Sequence, residues 1–198
     1  MEIYFLTTNR GKFLTAEKRL GKYGINLRWL NRSAPEPQAE SLPEIASFKA
    51  SWAYEIVKKP VMAVDAGLVI PSLNGFPGPF TSYVLKTVGV EGILRLLKGK
   101  ERYAYFDHAL AYHDPSLKQP VTFSHKVEGE IAERPSGERA EWWWSDLFSV
   151  FRPKVGDKVL PQVVGELSLD EWERIRKAIP EKNSYEKFAE WLAERGLI

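Results

Sequence analysis

The stretch that decides the fold is "MEIYFLTTNRGKF", Met1–Phe13. Its first part is mostly apolar and predicts a β-strand, and Asn9 is a favoured N-cap residue for a helix that follows. The helix is indicated by Phe13, Ala16 and Leu20, which recur at helical spacing. A strand that leads directly into a helix predicts the start of a βαβ unit and therefore an α/β fold.

Outward from this stretch, the alternation of strand and helix patterns continues as βαβαβ through the first half of the chain. Strands are predicted at 2–7, 25–30, 61–65, 68–71, 103–113, 120–131 and 147–151, and helices at 10–22, 42–58, 80–97, 169–179 and 183–195. The strands at 103–113 and 120–131 flank the turn-forming segment "PSLKQ" and predict an antiparallel hairpin. The overall pattern predicts a mixed sheet flanked by helices.

Composition favours a globular protein with one domain, spanning residues 1–198. The chain is 44% hydrophobic and 27% charged, which is typical of a folded domain with a substantial core. It contains no cysteine, so disulfides, thiolate catalysis and cysteine-ligated zinc are excluded. The net charge is +2 without a concentrated basic stripe, which argues against nucleic-acid binding. No membrane-spanning run or signal-peptide pattern is present, and we expect a cytoplasmic protein.

The first turn of the predicted helix carries two cations, Arg10 and Lys12. A helix N-terminus already bears partial positive charge, so cations there are unfavourable unless an anion is bound. Main-chain amides, the hydroxyls of Thr7 and Thr8, and Lys12 could together hold a phosphate. The alternative is an ordinary capped helix whose Arg and Lys side chains lie in solvent.

Two later segments carry further candidate residues. Asp65 ends the buried-looking strand "VMAVDAG", where it could bind a divalent metal or orient a water; alternatively it belongs to a tight turn. Glu44 follows Ser41 by three residues, the spacing of a capping box. Lys49 shares an apolar helical face with Ile45, so its ammonium either reaches the edge of the core or meets a charged partner.

The second half contains a Gly/Pro loop and a run of tryptophans. The loop "NGFPGPFTSY" leads into a helix for which Thr81 or Ser82 is the predicted N-cap. Trp142–Trp144 are adjacent, and their rings could meet a nucleobase, a subunit interface or the core; the last two are favoured. The three histidines of the hairpin have no metal-ligand spacing and are interpreted as ordinary strand residues: His108, His113 and His125.

The order of four motifs resembles the inosine triphosphate pyrophosphatase (Ham1-like) family: "TTNRGK", "LPEIASFKA", "VDAGL" and "LNGFPGPFTSYVLKTVGVEGI". Enzymes of this family hydrolyse noncanonical purine nucleoside triphosphates to the monophosphate and pyrophosphate. The resemblance covers the first half of the chain and continues in "VEGEI". It implies an elongated mixed α/β fold with two lobes around a central cleft, Mg²⁺ as cofactor and a homodimer.

By this resemblance, Thr7, Asn9 and Lys12 match the T-x-N-x-x-K segment that grips the triphosphate. Glu44 matches a magnesium-site glutamate, and Lys49 a lysine that faces the cleft.

The remaining matches are less complete. Asp65 matches the aspartate of D-S-G, a metal ligand or general base, although Ala66 replaces the serine. Thr81 stands where the family usually has a serine after P-G-x-x. Trp143 falls at the base-stacking aromatic residue and Asp146 at the aspartate of G-F-G-[YW]-D-P.

The base-reading half departs from the family pattern. Trp142 and Trp144 replace small glycines, Trp172 replaces the lysine of E-E-K-N, and the S-H-R run that reads the purine is missing. The leading hypothesis is therefore a magnesium-dependent nucleoside triphosphate pyrophosphohydrolase of altered or unknown base preference. The alternatives are a catalytically weak relative that binds nucleotide or phosphate, and a structural oligomer with a tryptophan interface.

Overall fold

The computed structural model describes all residues from 1 to 198. The strands are β1 (Glu2–Leu6), β2 (Asn26–Leu30), β3 (Val61–Val69), β4 (Pro77–Gly78), β5 (Tyr103–His113), β6 (Val121–Ile131), β7 (Phe151–Val155) and β8 (Lys158–Val159). The helices are α1 (Arg10–Gly21), α2 (Leu42–Val57), α3 (Thr81–Thr87), α4 (Gly89–Leu96), α5 (Leu169–Ala178) and α6 (Ser184–Ala193), with short 3-10 helices at Pro71–Leu73, Asp146–Ser149 and Val164–Glu166. None of these helices is long and apolar enough to cross a bilayer.

The strands form a mixed sheet in the order β2-β1-β3-β5-β6-β7-β8, with β4 paired to β3. β1 lies parallel to both β2 and β3. The β3–β4, β6–β7 and β7–β8 pairs are antiparallel. The prediction of an α/β fold with a mixed central sheet flanked by helices is confirmed.

The chain packs as two compact units. The first comprises Met1–Asp65, His108–His125 and Lys182–Ile198, and the second comprises Ala66–Asp107 and Lys126–Glu181. The core of the first unit is built from apolar side chains of β1, α1, β3, β5 and α6, among them Ile3, Phe5, Leu20, Tyr112 and Phe188. The core of the second unit is rich in aromatic rings, among them Phe106, Trp142, Phe148 and Phe151.

Strand β3 continues through Asp65, so the predicted strands at 61–65 and 68–71 are one strand and the turn alternative for Asp65 is wrong. The reason lies at Gly67. An ideal Cβ built on Gly67 would stand 2.1 Å from the carbonyl oxygen of Gly78, so only glycine lets the following loop pack against this strand. The glycine that reads locally as a turn residue therefore permits a close approach of distant backbone.

Gly67→Ala is expected to destabilise the protein by about 3 kcal/mol, because the new methyl group collides with backbone that has no free rotation. The matched control is Gly21→Ala, since a Cβ at Gly21 meets nothing within 4 Å. Urea unfolding of both variants measures the difference. Equal midpoints for the two variants would contradict the packing described here.

Two further element predictions were wrong. The predicted helix 80–97 is two helices, because the chain bends at Gly89, whose φ of +66° interrupts helical geometry. The predicted strand 147–151 is mostly a 3-10 helix, Asp146–Ser149, whose first turn is capped by the Ser145 hydroxyl accepting from the Leu147 N–H. The regular strand begins only at Phe151.

The turn after β5 is fixed by the buried carboxylate of Asp114. It accepts hydrogen bonds from the Ser116 N–H at 2.7 Å, the Ser116 hydroxyl at 2.6 Å and the Tyr112 hydroxyl at 2.9 Å. Burial raises the pKa of Asp114, but these bonds and one from the Leu117 backbone outweigh it, so that the pKa lies below its usual value.

Asp114→Asn is expected to cost about 1–2 kcal/mol at neutral pH, because charge-assisted hydrogen bonds are replaced by weaker ones. The pKa of Asp114 is lower in the folded protein than in the unfolded chain. The stability that its carboxylate contributes is therefore complete above the ordinary aspartate pKa and is lost as the pH falls through the folded-state pKa. Urea unfolding of wild type and variant at neutral and acidic pH measures this. A gap that stays constant into acid would contradict it.

Candidate active site

The loop between β1 and α1 is ordered by its own polar side chains. The Thr7 hydroxyl accepts from the Asn9 N–H at 3.1 Å, and the Asn9 side-chain oxygen accepts from the Lys12 N–H at 3.0 Å. The N-cap prediction for Asn9 is confirmed. The main-chain N–H groups of Thr8 and Gly11 donate to no atom of the protein. Unpartnered amides at a helix start are the donors that bind anions in proteins.

Lys12 points inward from this helix start. Its ammonium lies 3.5 Å from the Val64 carbonyl oxygen. Burial lowers the pKa of Lys12, and repulsion by the Lys49 ammonium lowers it further. Attraction to the Asp65 carboxylate raises the pKa, but not enough to bring it back to its usual value. The alternative that both cations of the first turn lie in solvent is therefore wrong for Lys12, whereas Arg10 is exposed.

Lys49 joins two carboxylates. Its ammonium donates to Asp65 Oδ1 at 2.9 Å and lies 2.5 Å from Glu36 Oε1. Burial lowers the pKa of Lys49, but Asp65 and Glu36 together outweigh burial and raise it. Of the two sequence alternatives for Lys49, the charged partner is correct. Asp65 is itself buried, and its second carboxylate oxygen makes no hydrogen bond in the protein.

Glu44 stands in the first turn of α2 and is exposed. Its N–H donates to the Ser41 hydroxyl at 3.4 Å, but its carboxylate does not return a bond to Ser41. At Ser168 and Glu171 both bonds of the capping box are formed. The capping interpretation of Glu44 is thus only half fulfilled, and its carboxylate is left available to a ligand.

Thr81 lies in the second unit and has a structural task there. Its hydroxyl donates to the Gly78 carbonyl at 2.7 Å and accepts from the Leu68 N–H at 2.8 Å. The prediction that Thr81 or Ser82 caps α3 is wrong, because the helix starts at Thr81 and Phe80 precedes it without any side-chain cap. A role of Thr81 in substrate binding stays a prediction.

The tryptophan run lies in the core of the second unit. Trp142 and Trp143 are 7% and 5% exposed, and both rings pack against Phe148. An ideal Cβ on Gly165 would lie 2.6 Å from the Trp143 ring, so the indole sits directly on that backbone. Asp146 is exposed and pairs with Arg139. The core interpretation of the run is supported, while substrate contacts of Trp143 and Asp146 stay predictions.

Comparison with known proteins identifies the family of this chain. The profile of the Ham1 family matches residues 3–176. This chain belongs to the Ham1 family. Its relatives include the dITP/XTP pyrophosphatase of Methanopyrus kandleri, 40% identical over 192 residues that cover 96% of both chains. The dITP/XTP pyrophosphatase of Thermococcus kodakarensis is 35% identical over 195 residues, 98% of both chains.

Solved Ham1 structures share the fold. The Staphylococcus aureus Ham1 protein superposes with a TM-score of 0.76 at 20% identity, covering 98% of this chain and 100% of that one. A Coxiella burnetii Ham1 protein gives 0.77 at 22% identity, with 98% and 99% covered. The family resemblance drawn from the four sequence motifs is confirmed.

In this Ham1-family chain, the structure brings three of the predicted residues into one electrostatic cluster: Lys12, Lys49 and Asp65. A fourth member, Glu36, was missed by the sequence analysis. It stands in a loop between two prolines, and its side chain is 66% exposed, so no periodicity marks it. Two ammonium groups and two carboxylates leave the cluster without net charge, and an incoming polyphosphate would compete with Glu36 for Lys49.

Proposed function

We propose that this protein is a magnesium-dependent nucleoside triphosphate pyrophosphohydrolase that converts a noncanonical purine triphosphate to its monophosphate and pyrophosphate. The observation that carries the proposal is the Lys49–Asp65 pair with the buried Lys12 ammonium beside it. The names of the relatives, dITP/XTP pyrophosphatases, point to deaminated purines as the substrate class. We also propose that the protein acts in the cytoplasm.

The triphosphate is held by the β1–α1 loop and the two lysines. Thr7 and Asn9 shape the loop, and the free amides of Thr8 and Gly11 donate to phosphate oxygens. Lys12 supplies positive charge from a partly desolvated position, where electrostatic attraction is stronger than in bulk water.

The carboxylates fit a Mg²⁺ ion that takes few protein ligands. No group of three or more His, Asp or Glu side chains in the chain could hold a metal. The Glu44 carboxylate makes no hydrogen bond, and Asp65 Oδ1 keeps a lone pair beside its bond to Lys49; such hard oxygen donors suit magnesium. Mg²⁺ is commonly held by one or two carboxylates together with substrate phosphates and waters. We assign Glu44 and Asp65 as its protein ligands.

Asp65 orients and deprotonates the attacking water. Lys49 holds Oδ1 at 2.9 Å, which leaves the other oxygen to accept from water. The water oxygen bonds to the α-phosphorus, its proton passes to Asp65, the bond to the bridging oxygen breaks and pyrophosphate leaves. Lys12 and Lys49 stabilise the charge that develops on the phosphates. When bound, Mg²⁺ neutralises further phosphate charge and polarises the phosphoryl group.

We also propose that Trp143 contacts the base and that Asp146 and Thr81 contact the substrate. Trp142 and Trp144 stand where the family pattern has glycines, and the S-H-R run is absent, so we expect the base to be read by other residues and the ranking among the deaminated bases to differ from that of the family.

The protein is proposed to be a homodimer. The second unit exposes apolar side chains within a short segment, with Phe76, Phe80, Tyr83 and Val88 being 39–69% exposed. Exposed apolar patches of this kind mark interaction sites, and we assign this one to a second copy of the chain. Sedimentation should give a dimer for wild type and a monomer for Tyr83→Glu. A wild type that sediments as a monomer would contradict the assignment.

A panel assay tests the activity. The protein is incubated with Mg²⁺ or with EDTA and with ATP, GTP, ITP, dITP or XTP, and pyrophosphate and orthophosphate are both measured. We expect magnesium-dependent pyrophosphate release from the deaminated substrates, about 100-fold faster than from ATP or GTP. Orthophosphate as the product, or no activity on any triphosphate, would overturn the proposed function.

A further inference from the structure

Trp29, in the edge strand β2, is bonded directly to the loop that carries the candidate phosphate-binding residues. Its indole N–H donates to the Thr7 carbonyl oxygen at 2.6 Å. The neighbouring residue, Leu30, accepts the Thr7 N–H at 3.2 Å through its carbonyl oxygen. Two consecutive residues of β2 therefore hold both main-chain polar groups of Thr7.

The indole ring of Trp29 is also held in place by aromatic stacking. It stacks on Phe13 of α1 with the ring centroids 5.1 Å apart and the planes 16° from parallel. Phe13 in turn stacks on Phe5 of β1 at 6.3 Å. A phenylalanine at position 29 would satisfy this stacking, so packing alone does not account for an indole N–H at this position.

The hydrogen bond from Trp29 to the Thr7 carbonyl oxygen also orients the Thr8 N–H, because both groups belong to the same peptide. In a trans peptide the C=O and the following N–H point in opposite directions. With the Thr7 carbonyl turned toward Trp29, the Thr8 N–H points away from it, and this N–H donates to no atom of the protein. If this peptide rotated freely, it could present its carbonyl oxygen to a bound phosphate and repel it.

We propose that Trp29 is a positioning residue for triphosphate binding: its indole N–H locks the Thr7–Thr8 peptide so that the Thr8 N–H faces the phosphates. The inference rests on the proposed function and concerns a residue outside the four sequence motifs quoted above. Two further hydrogen bonds order the rest of the loop. The Thr7 hydroxyl accepts from the Asn9 N–H, and the Asn9 side-chain oxygen accepts from the Lys12 N–H. A loop ordered before binding loses less conformational entropy when the ligand arrives.

Trp29→Phe tests the proposal, because it keeps a ring on Phe13 and removes only the N–H donor. The matched control is Trp191→Phe, a partly buried tryptophan of the same unit that packs on Tyr112 and Phe123. We expect Trp29→Phe to raise KM for dITP about 3- to 10-fold with kcat unchanged, whereas Trp191→Phe leaves KM unchanged. Equal KM values for the two variants, or a fall in kcat alone, would overturn the proposal.

A second measurement does not depend on the stability of a variant. In wild-type protein, the NMR resonance of the Trp29 indole N–H should shift when inorganic tripolyphosphate is added, because the peptide it holds binds the phosphates. A resonance that stays in place while tripolyphosphate binds would overturn the role of Trp29. Wild type that neither binds tripolyphosphate nor hydrolyses dITP would instead overturn the proposed function itself.

Discussion

Asp65→Asn is expected to reduce the rate of pyrophosphate release by about 10³-fold or more, because the substitution removes both the proton acceptor and the negative charge. Asparagine has the same shape, and its amide oxygen can still accept the hydrogen bond that Lys49 now donates at 2.9 Å. Glu36 remains as a second partner for Lys49, so the ammonium is not left unpaired. The loss should therefore appear in kcat and leave the fold intact.

The matched control is Asp157→Asn, which makes the same chemical change in the exposed turn between β7 and β8. Steady-state rates of pyrophosphate release from dITP with Mg²⁺ are compared, and circular dichroism checks the fold of both variants. If Asp65→Asn keeps a rate within a few-fold of Asp157→Asn, Asp65 neither deprotonates the water nor binds the metal.

Lys12→Met is expected to weaken substrate binding and to increase the free energy of unfolding. The ammonium of Lys12 is buried, and burial lowers its pKa, so the folded protein gains by losing that charge. Methionine keeps most of the aliphatic stem, and we expect the free energy of unfolding to rise by about 1 kcal/mol. The same ammonium is assigned to triphosphate binding. A partly desolvated charge attracts phosphate more strongly than a surface charge does, so KM for dITP should rise about 100-fold.

Lys18→Met on the exposed side of the same helix is the control, and both its KM and its stability should stay close to wild type. Urea unfolding and steady-state kinetics are measured on the same preparations. A Lys12→Met variant that is less stable than wild type with unchanged KM would show a structural lysine and would remove it from the phosphate site.

Features encoded by neighbouring residues could be predicted from the sequence. Asn9 caps α1 because its side chain reaches an amide three residues away, and such a bond depends on local spacing alone. Helical periodicity assigned Lys49 to the apolar face of its helix, which predicted that its ammonium reaches either the edge of the core or a charged partner. The motif order then identified the family, although each motif on its own was weak.

Features created by contacts between distant segments could not be predicted. Gly67 looks like a turn residue, yet it continues a strand because the Gly78 carbonyl approaches it from a later loop. Glu36 has no periodicity or motif, and it joins the cluster only because its loop folds back to Lys49. Trp29 likewise acquires its partner, Thr7, through parallel pairing of β2 with β1.

The central claim is that water attacks the α-phosphorus of a nucleoside triphosphate held by the Lys12, Lys49 and Asp65 cluster. Hydrolysis of dITP in water labelled with the heavy oxygen isotope tests it most directly, with mass spectrometry of both products. The account predicts that the label enters only the nucleoside monophosphate and that pyrophosphate stays unlabelled. Label in pyrophosphate or in orthophosphate would contradict it.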